Sequence, residues 1–97
     1  MALVIQWTPQ ANKGLQKVID YLEQKWTPKE ILQLEKKINQ VLKQIIIHPE
    51  LFPKSDTETS LYKAIIDKNN YLVYRINLKK STIEIINFRG TKQKPKY

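Results

Sequence analysis

The sequence predicts an α+β domain with element order β-α-α-β-β-β: a strand, an antiparallel helical hairpin, then a three-strand antiparallel meander, with both helices on one face of the sheet. Three observations predict it. A β-branched run, Leu3-Val4-Ile5-Gln6-Trp7, stops at Thr8-Pro9. Two segments of helical apolar period follow, each opened by Thr-Pro. The last third then breaks into three short runs separated by turn residues.

The first helix starts with Thr8 as N-cap and Pro9 at the first helical position, where a missing N–H costs nothing. Its apolar stripe is Ala11, Leu15, Val18, Ile19, Leu22 and Trp26, with Lys13, Lys17, Asp20 and Glu23 off it. Thr27-Pro28-Lys29-Glu30 repeats the punctuation, and Thr27 with Glu30 has the spacing of a capping box. The second helix carries Ile31, Leu34, Ile38, Val41, Leu42 and Ile45 on one face. It should end before His48-Pro49, because the residue ahead of a proline is pushed out of the α region. The short turn between the helices makes them antiparallel. His48, the only histidine, reads as a helix-end residue that complements the dipole. In the long connection that follows, Leu51 and Phe52 are expected to tuck under the helices, and residues 55–60 are polar.

The three closing strands are Leu61–Ile66, Tyr71–Asn77 and Thr82–Phe88, divided by Asp67-Lys68-Asn69-Asn70 and Leu78-Lys79-Lys80-Ser81. In the middle strand Leu72, Tyr74 and Ile76 alternate with Tyr71, Val73, Arg75 and Asn77. In the last, strict alternation sets Ile83, Ile85 and Asn87 against Glu84, Ile86 and Phe88, and the pattern leaves open which set faces out. A basic C-terminal tail is expected over residues 89–97. Two helices cover one face of such a sheet. The other face then keeps apolar and aromatic side chains beside Lys63 and Arg75, as a surface awaiting a partner does. The alternative is self-cover by long Lys and Arg stems and by the tail itself.

The charge is local. Residues 61–97 hold nine Lys and Arg against two acids, whereas residues 1–60 hold eight against seven, within a chain total of +8. A polyanion or an acidic protein is the partner such asymmetry suggests. The chain has 97 residues, two glycines and 41% hydrophobic residues, which suits one globular domain over residues 1–97 rather than a disordered chain. It has no cysteine, so disulfides and thiolate metal sites are excluded. No metal-spaced cluster, Gly-rich phosphate loop or Ser-His-carboxylate pattern is present, and neither metal nor cofactor is expected. The opening MALVIQWTPQ lacks the charged n-region of a signal peptide, and no apolar run approaches a membrane span. A cytoplasmic protein with no membrane partner is the resulting expectation.

In this order and at this length, several stretches together resemble the RelE/ParE superfamily of bacterial type II toxins, most nearly its plasmid-stabilisation members. They are Ile5-Gln6-Trp7-Thr8-Pro9-Gln10-Ala11, Tyr21-Leu22 through Trp26, His48-Pro49-Glu50-Leu51-Phe52-Pro53, Tyr71-Leu72-Val73-Tyr74-Arg75-Ile76, and Ile85 through Pro95. The resemblance implies a toxin neutralised by a cognate antitoxin, whose C-terminal segment masks the working face in a toxin–antitoxin hetero-oligomer. It implies one of two targets: DNA gyrase, inhibited by ParE-like members, or mRNA on the ribosome, cleaved without metal by RelE-like members. A basic nucleic-acid-binding domain without toxicity is a third reading. Whether the chain is an enzyme stays open at this point.

The resemblance also names candidate residues. Arg75, Arg89 and Lys92 are the catalytic candidates if the chain is a ribonuclease. Lys63, Tyr71, Arg75, Arg89, Lys92 and Tyr97 are the binding candidates. Attack of a ribose 2′-OH on the adjacent phosphate needs a base or strong field, cations for the phosphorane and an acid for the leaving oxygen. Two departures weaken that set. Tyr71 stands where the family commonly has an arginine, three residues before the strand's second tyrosine. Lys92 replaces a frequent arginine, keeping charge but losing the bidentate fork. The arginine missing at Tyr71, with the absence of an acid–base pair, tilts the reading slightly toward gyrase.

Overall fold

Strands β1 (Val4–Trp7), β2 (Tyr62–Asp67), β3 (Asn70–Asn77) and β4 (Thr82–Gly90) and helices α1 (Pro9–Lys25) and α2 (Pro28–Ile47) occur in the expected order. The computed structural model describes residues 3–25, 27–55 and 60–90. The strands form one sheet in the order β1-β4-β3-β2. The three closing strands are an antiparallel meander, and β1 joins β4 in parallel at the far edge. β4 runs to Gly90. Arg89 and Gly90, counted with the tail in the sequence reading, therefore belong to the sheet. Lys92, Tyr97 and the rest of the expected tail lie outside the described residues, as does Trp26.

Both helices pack on one face of the sheet. α1 lies over β4 and α2 over β2. Ala11 and Val18 of α1 and Leu34, Ile38 and Ile45 of α2 are buried against Ala64, Ile66, Leu72, Tyr74, Ile83, Ile85 and Phe88. These are the stripes of helical period read from the sequence, and their burial is the main stabilising term. α2 ends at Ile47, with His48 donating its backbone N–H to the Gln44 carbonyl at 2.8 Å. Thr27 is the N-cap of α2, with extended backbone. The capping box forms differently from the expectation. The Thr27 hydroxyl donates to the Glu30 carboxylate and makes no side-chain bond to a backbone N–H. That hydrogen bond is the first cause holding the Glu30 carboxyl below its ordinary range.

The connection after α2 corrects one expectation. Phe52 is half-buried and meets Tyr74 edge-on at 6.3 Å, but Leu51 is 64% exposed. Tyr74 is the pivot here. It is fully buried, stacks on Tyr62 at 5.2 Å, and donates its hydroxyl to the Pro49 carbonyl at 2.6 Å. Burial pushes its phenol well above the ordinary range. The same connection covers the start of the β2 edge: Lys63 N–H donates to the Pro53 carbonyl at 2.9 Å and Ser55 N–H to the Leu61 carbonyl at 2.8 Å.

The sharpest departure from strict alternation lies in β4. Val73 pairs with Asn87 but Tyr74 pairs with Ile85, so Ile86 is an extra residue, a β-bulge. Neither alternating set of the sequence reading survives it. Ile83 and Ile85 face the core together with Phe88, not with Asn87. Glu84, Asn87 and Arg89 share the opposite face. The bulge is held from both sides. The Thr8 hydroxyl donates to the carbonyls of Ile85 at 2.8 Å and Ile86 at 3.2 Å, and it accepts the Ala11 N–H at 3.2 Å as the α1 cap. The Phe88 N–H donates to the Asn87 side chain at 3.0 Å.

α1 crosses this stretch at Gly14. A Cβ at Gly14 would stand 2.1 Å from the Phe88 carbonyl oxygen, and a backbone atom in a packed strand cannot move aside. Gly14→Ala should therefore lower the unfolding free energy by about 1–3 kcal/mol, as overpacking does. Helix propensity alone would raise it by about 1 kcal/mol. Urea unfolding of the two proteins decides the sign. Thr8→Val keeps the shape but removes the cap and both bulge contacts, and should cost about 1–2 kcal/mol in the same measurement.

Candidate functional site

The face of the sheet away from the helices gathers the candidates that the sequence scattered. Register places them in three rows across the strands. Gln6, Glu84 and Arg75 form one row, Asn87, Val73 and Lys63 the next, and Arg89, Tyr71 and Ile65 the third. Lys63, Tyr71, Arg75 and Arg89 therefore do share one surface. Arg89 reaches it only because the bulge at Ile86 reverses the parity of β4. Between the cations lie Val73 and Ile65, the latter 64% exposed. Among the described residues this face is both apolar and basic, and the helices lie on the other side of the sheet.

Its cations are not equivalent. Arg75 donates from Nε to Glu84 Oε1 at 2.7 Å, and its Nη2 lies 2.7 Å from the same oxygen. Asn77 donates from its amide to Glu84 Oε2 at 3.2 Å. Both carboxylate oxygens are thus occupied. The Glu84 side chain is only 11% exposed while that of Arg75 is 52% exposed, so the guanidinium roofs the carboxylate. The Arg75 hydrogen bond first, and that of Asn77 second, hold the Glu84 carboxyl below its usual value of 4.5. Lys63 instead rests its ammonium over the Tyr71 ring, 4.5 Å from the centroid. Arg89 is exposed at the end of β4, across from Tyr71.

The described cations of this face are largely engaged within it. Two of its three cations are engaged by neighbours within the sheet, and the only described carboxylate among its cations is an ionised acceptor under an arginine. His48 lies elsewhere, at the end of α2, lining an open cavity of about 710 Å³ with Ile47, Leu51 and Leu78. Among the described residues no cluster of His, Asp or Glu could hold a metal ion, and no described helix is long and apolar enough to cross a membrane.

Glu84, Asn77 and Asn87 are the site residues that the sequence reading missed. A signal for Glu84 was present: a four-residue turn at Leu78–Ser81 sets Asn77 against Thr82 and, two residues on, Arg75 against Glu84. No comparable signal located the bulge, so Arg89 had no assignable face.

Comparison with known proteins agrees with this architecture. A family profile described as the ParE toxin of type II toxin–antitoxin system, parDE, matches residues 5–95. No curated protein matches by sequence at a significant level. Among solved structures, a YoeB/ParE toxin from Agrobacterium tumefaciens superimposes with a TM-score of 0.65 at 15% identity, covering 91% of this chain and 98% of that one. The toxin in the heterotetrameric YoeB–YefM toxin–antitoxin complex from Staphylococcus aureus gives 0.59 at 25% identity, covering 90% and 94%. The isolated RelE toxin of E. coli gives 0.59 at 20%, covering 96% and 88%.

The Arg75–Glu84 pair should be visible in acid. A carboxyl held below its ordinary value stabilises the fold above 4.5, and that contribution is lost as pH falls through the depressed value. The wild type should be more stable than Glu84→Gln at neutral pH, with the gap closing below the ordinary glutamate range. Urea unfolding across that range measures it; a gap independent of pH would contradict the pairing.

Proposed function

The chain belongs to the ParE toxin family of type II toxin–antitoxin systems, and from that premise we propose that it arrests growth by inhibiting DNA gyrase through surface contact. The observation that carries this reading is the pairing of Arg75 with Glu84. The cation that a ribonuclease would turn toward a phosphate is held by a carboxylate of its own sheet. Tyr71, at the position where the family commonly has an arginine, is instead covered by Lys63. Cleavage of mRNA needs cations converging on one phosphorane together with an acid and a base. The face is better suited to a protein partner, with its exposed Ile65, aromatic Tyr71 and rim of charge.

The same face is the place for the cognate antitoxin. A segment carrying both apolar and acidic side chains complements Ile65, Val73 and Tyr71 beside Lys63 and Arg89, and binding there would mask the working surface. A hetero-oligomer of toxin and antitoxin in the cytoplasm is the corresponding assembly, as the YoeB–YefM structure has for its own pair.

Expression of the chain alone should stop bacterial growth with induction of the DNA-damage response and intact transcripts, and co-expression of the antitoxin should restore growth. Purified protein should block supercoiling by gyrase. Collapse of protein synthesis with transcript ends inside codons would replace this reading with ribosome-dependent mRNA cleavage by Arg75, Arg89 and Lys92. Normal growth with folded protein would overturn toxicity itself.

A further inference from the structure

We infer that Glu84 is the specificity-determining residue of the outer face: its carboxylate holds the edge of Arg75 that a phosphate would take, so the face rejects a nucleic-acid backbone in favour of a protein partner. The inference rests on the outer face being the working surface of the toxin. Glu84 has no part in the family resemblance or in the candidate set read from the sequence.

The geometry is one of direct competition. An arginine binds phosphate through the same planar donor edge that it offers a carboxylate. Here Nε and Nη2 both point at Glu84 Oε1, each at 2.7 Å. Arg75 cannot swing away cheaply, because the carboxylate beneath it is 11% exposed and would keep only the Asn77 amide. Stranding a mostly buried charge in this way is costly. A phosphate approaching Arg75 also approaches Glu84, a like charge. Of the groups around that carboxylate, Gln6 in the row is neutral, the Asn77 amide is spent on Glu84 itself, and Lys80 acts on it from the turn before β4. Nucleic acid thus meets Lys63 and Arg89 as cations but Arg75 as half of a neutral pair. A protein segment has no such difficulty. It can take the remaining donors of the half-exposed guanidinium with a backbone carbonyl, and can cover Val73 and Ile65 with apolar side chains.

The test uses the whole 97-residue chain and a short fluorescent single-stranded RNA of mixed sequence, titrated over a salt series. Glu84→Gln should tighten RNA binding by on the order of tenfold at low salt and steepen the log K against log salt slope by about 0.7, the increment for one further phosphate. The double variant Arg75→Gln with Glu84→Gln should return to wild-type affinity and slope. An unchanged Glu84→Gln protein would overturn the inference. So would a double variant that keeps the full gain, because the gain would then not run through Arg75.

A second measurement needs no variant. On titration of the wild type with the same RNA, the Arg89 Nε–H resonance should shift and the Arg75 Nε–H resonance should stay in place. Equal shifts would overturn the inference. Failure to inhibit gyrase would leave all these readouts unaffected, so the two ideas fail separately.

Discussion

The Thr8 hydroxyl reaches the extra residue of β4, and the arrangement of the whole sheet depends on that contact. One side chain caps α1, follows the end of β1 and donates to the carbonyls of Ile85 and Ile86 at the bulge, the first of which also accepts the Thr8 backbone N–H. A bulge leaves backbone groups unpaired, and unpaired groups under a helix are expensive. Thr8 and the Asn87 side chain meet that demand locally. Gly14 meets the steric one, letting α1 lie against the Phe88 backbone where any side chain would collide. Cap, bulge and glycine are therefore one device built from residues far apart in the chain.

Its consequence is a change of parity. Before Ile86 the odd residues of β4 face the helices, and after it the even ones do. Phe88 thereby joins Leu72 in the core, and Arg89 crosses to the outer face opposite Tyr71. A regular strand would turn the aromatic ring out and the guanidinium in, a loss on both counts. The bulge is thus what places the third cation on the working face, though it touches none of that face's partners.

The face itself shows that a net basic surface need not be a nucleic-acid surface. Seventeen Lys and Arg against nine acids suggest polyanion binding at the level of composition. At the level of contacts, one outer-face arginine is neutralised within the sheet and one lysine is spread over an aromatic ring. An exposed ion pair contributes little to stability, but this one has two short donors and a mostly buried acceptor, and so governs what the arginine can still bind.

Much of this was legible in the chain. Thr-Pro at each helix start, the apolar stripes from Ala11 to Leu22 and from Leu34 to Ile45, and the stop at His48-Pro49 are local signals, set by dihedral restriction and side-chain spacing. They determined α1, α2 and the existence of the strands, and with them the α+β order and a sheet with one face left open. The tertiary structure alone decided the rest. Where β1 pairs, which way Phe88 and Arg89 point, and what Arg75 holds all depend on contacts between residues distant in sequence, such as Thr8 with Ile85 and Gly14 with Phe88. Alternation has a period of two and carries no mark for a single inserted residue, so a bulge is invisible until a helix and a neighbouring strand fix the register around it.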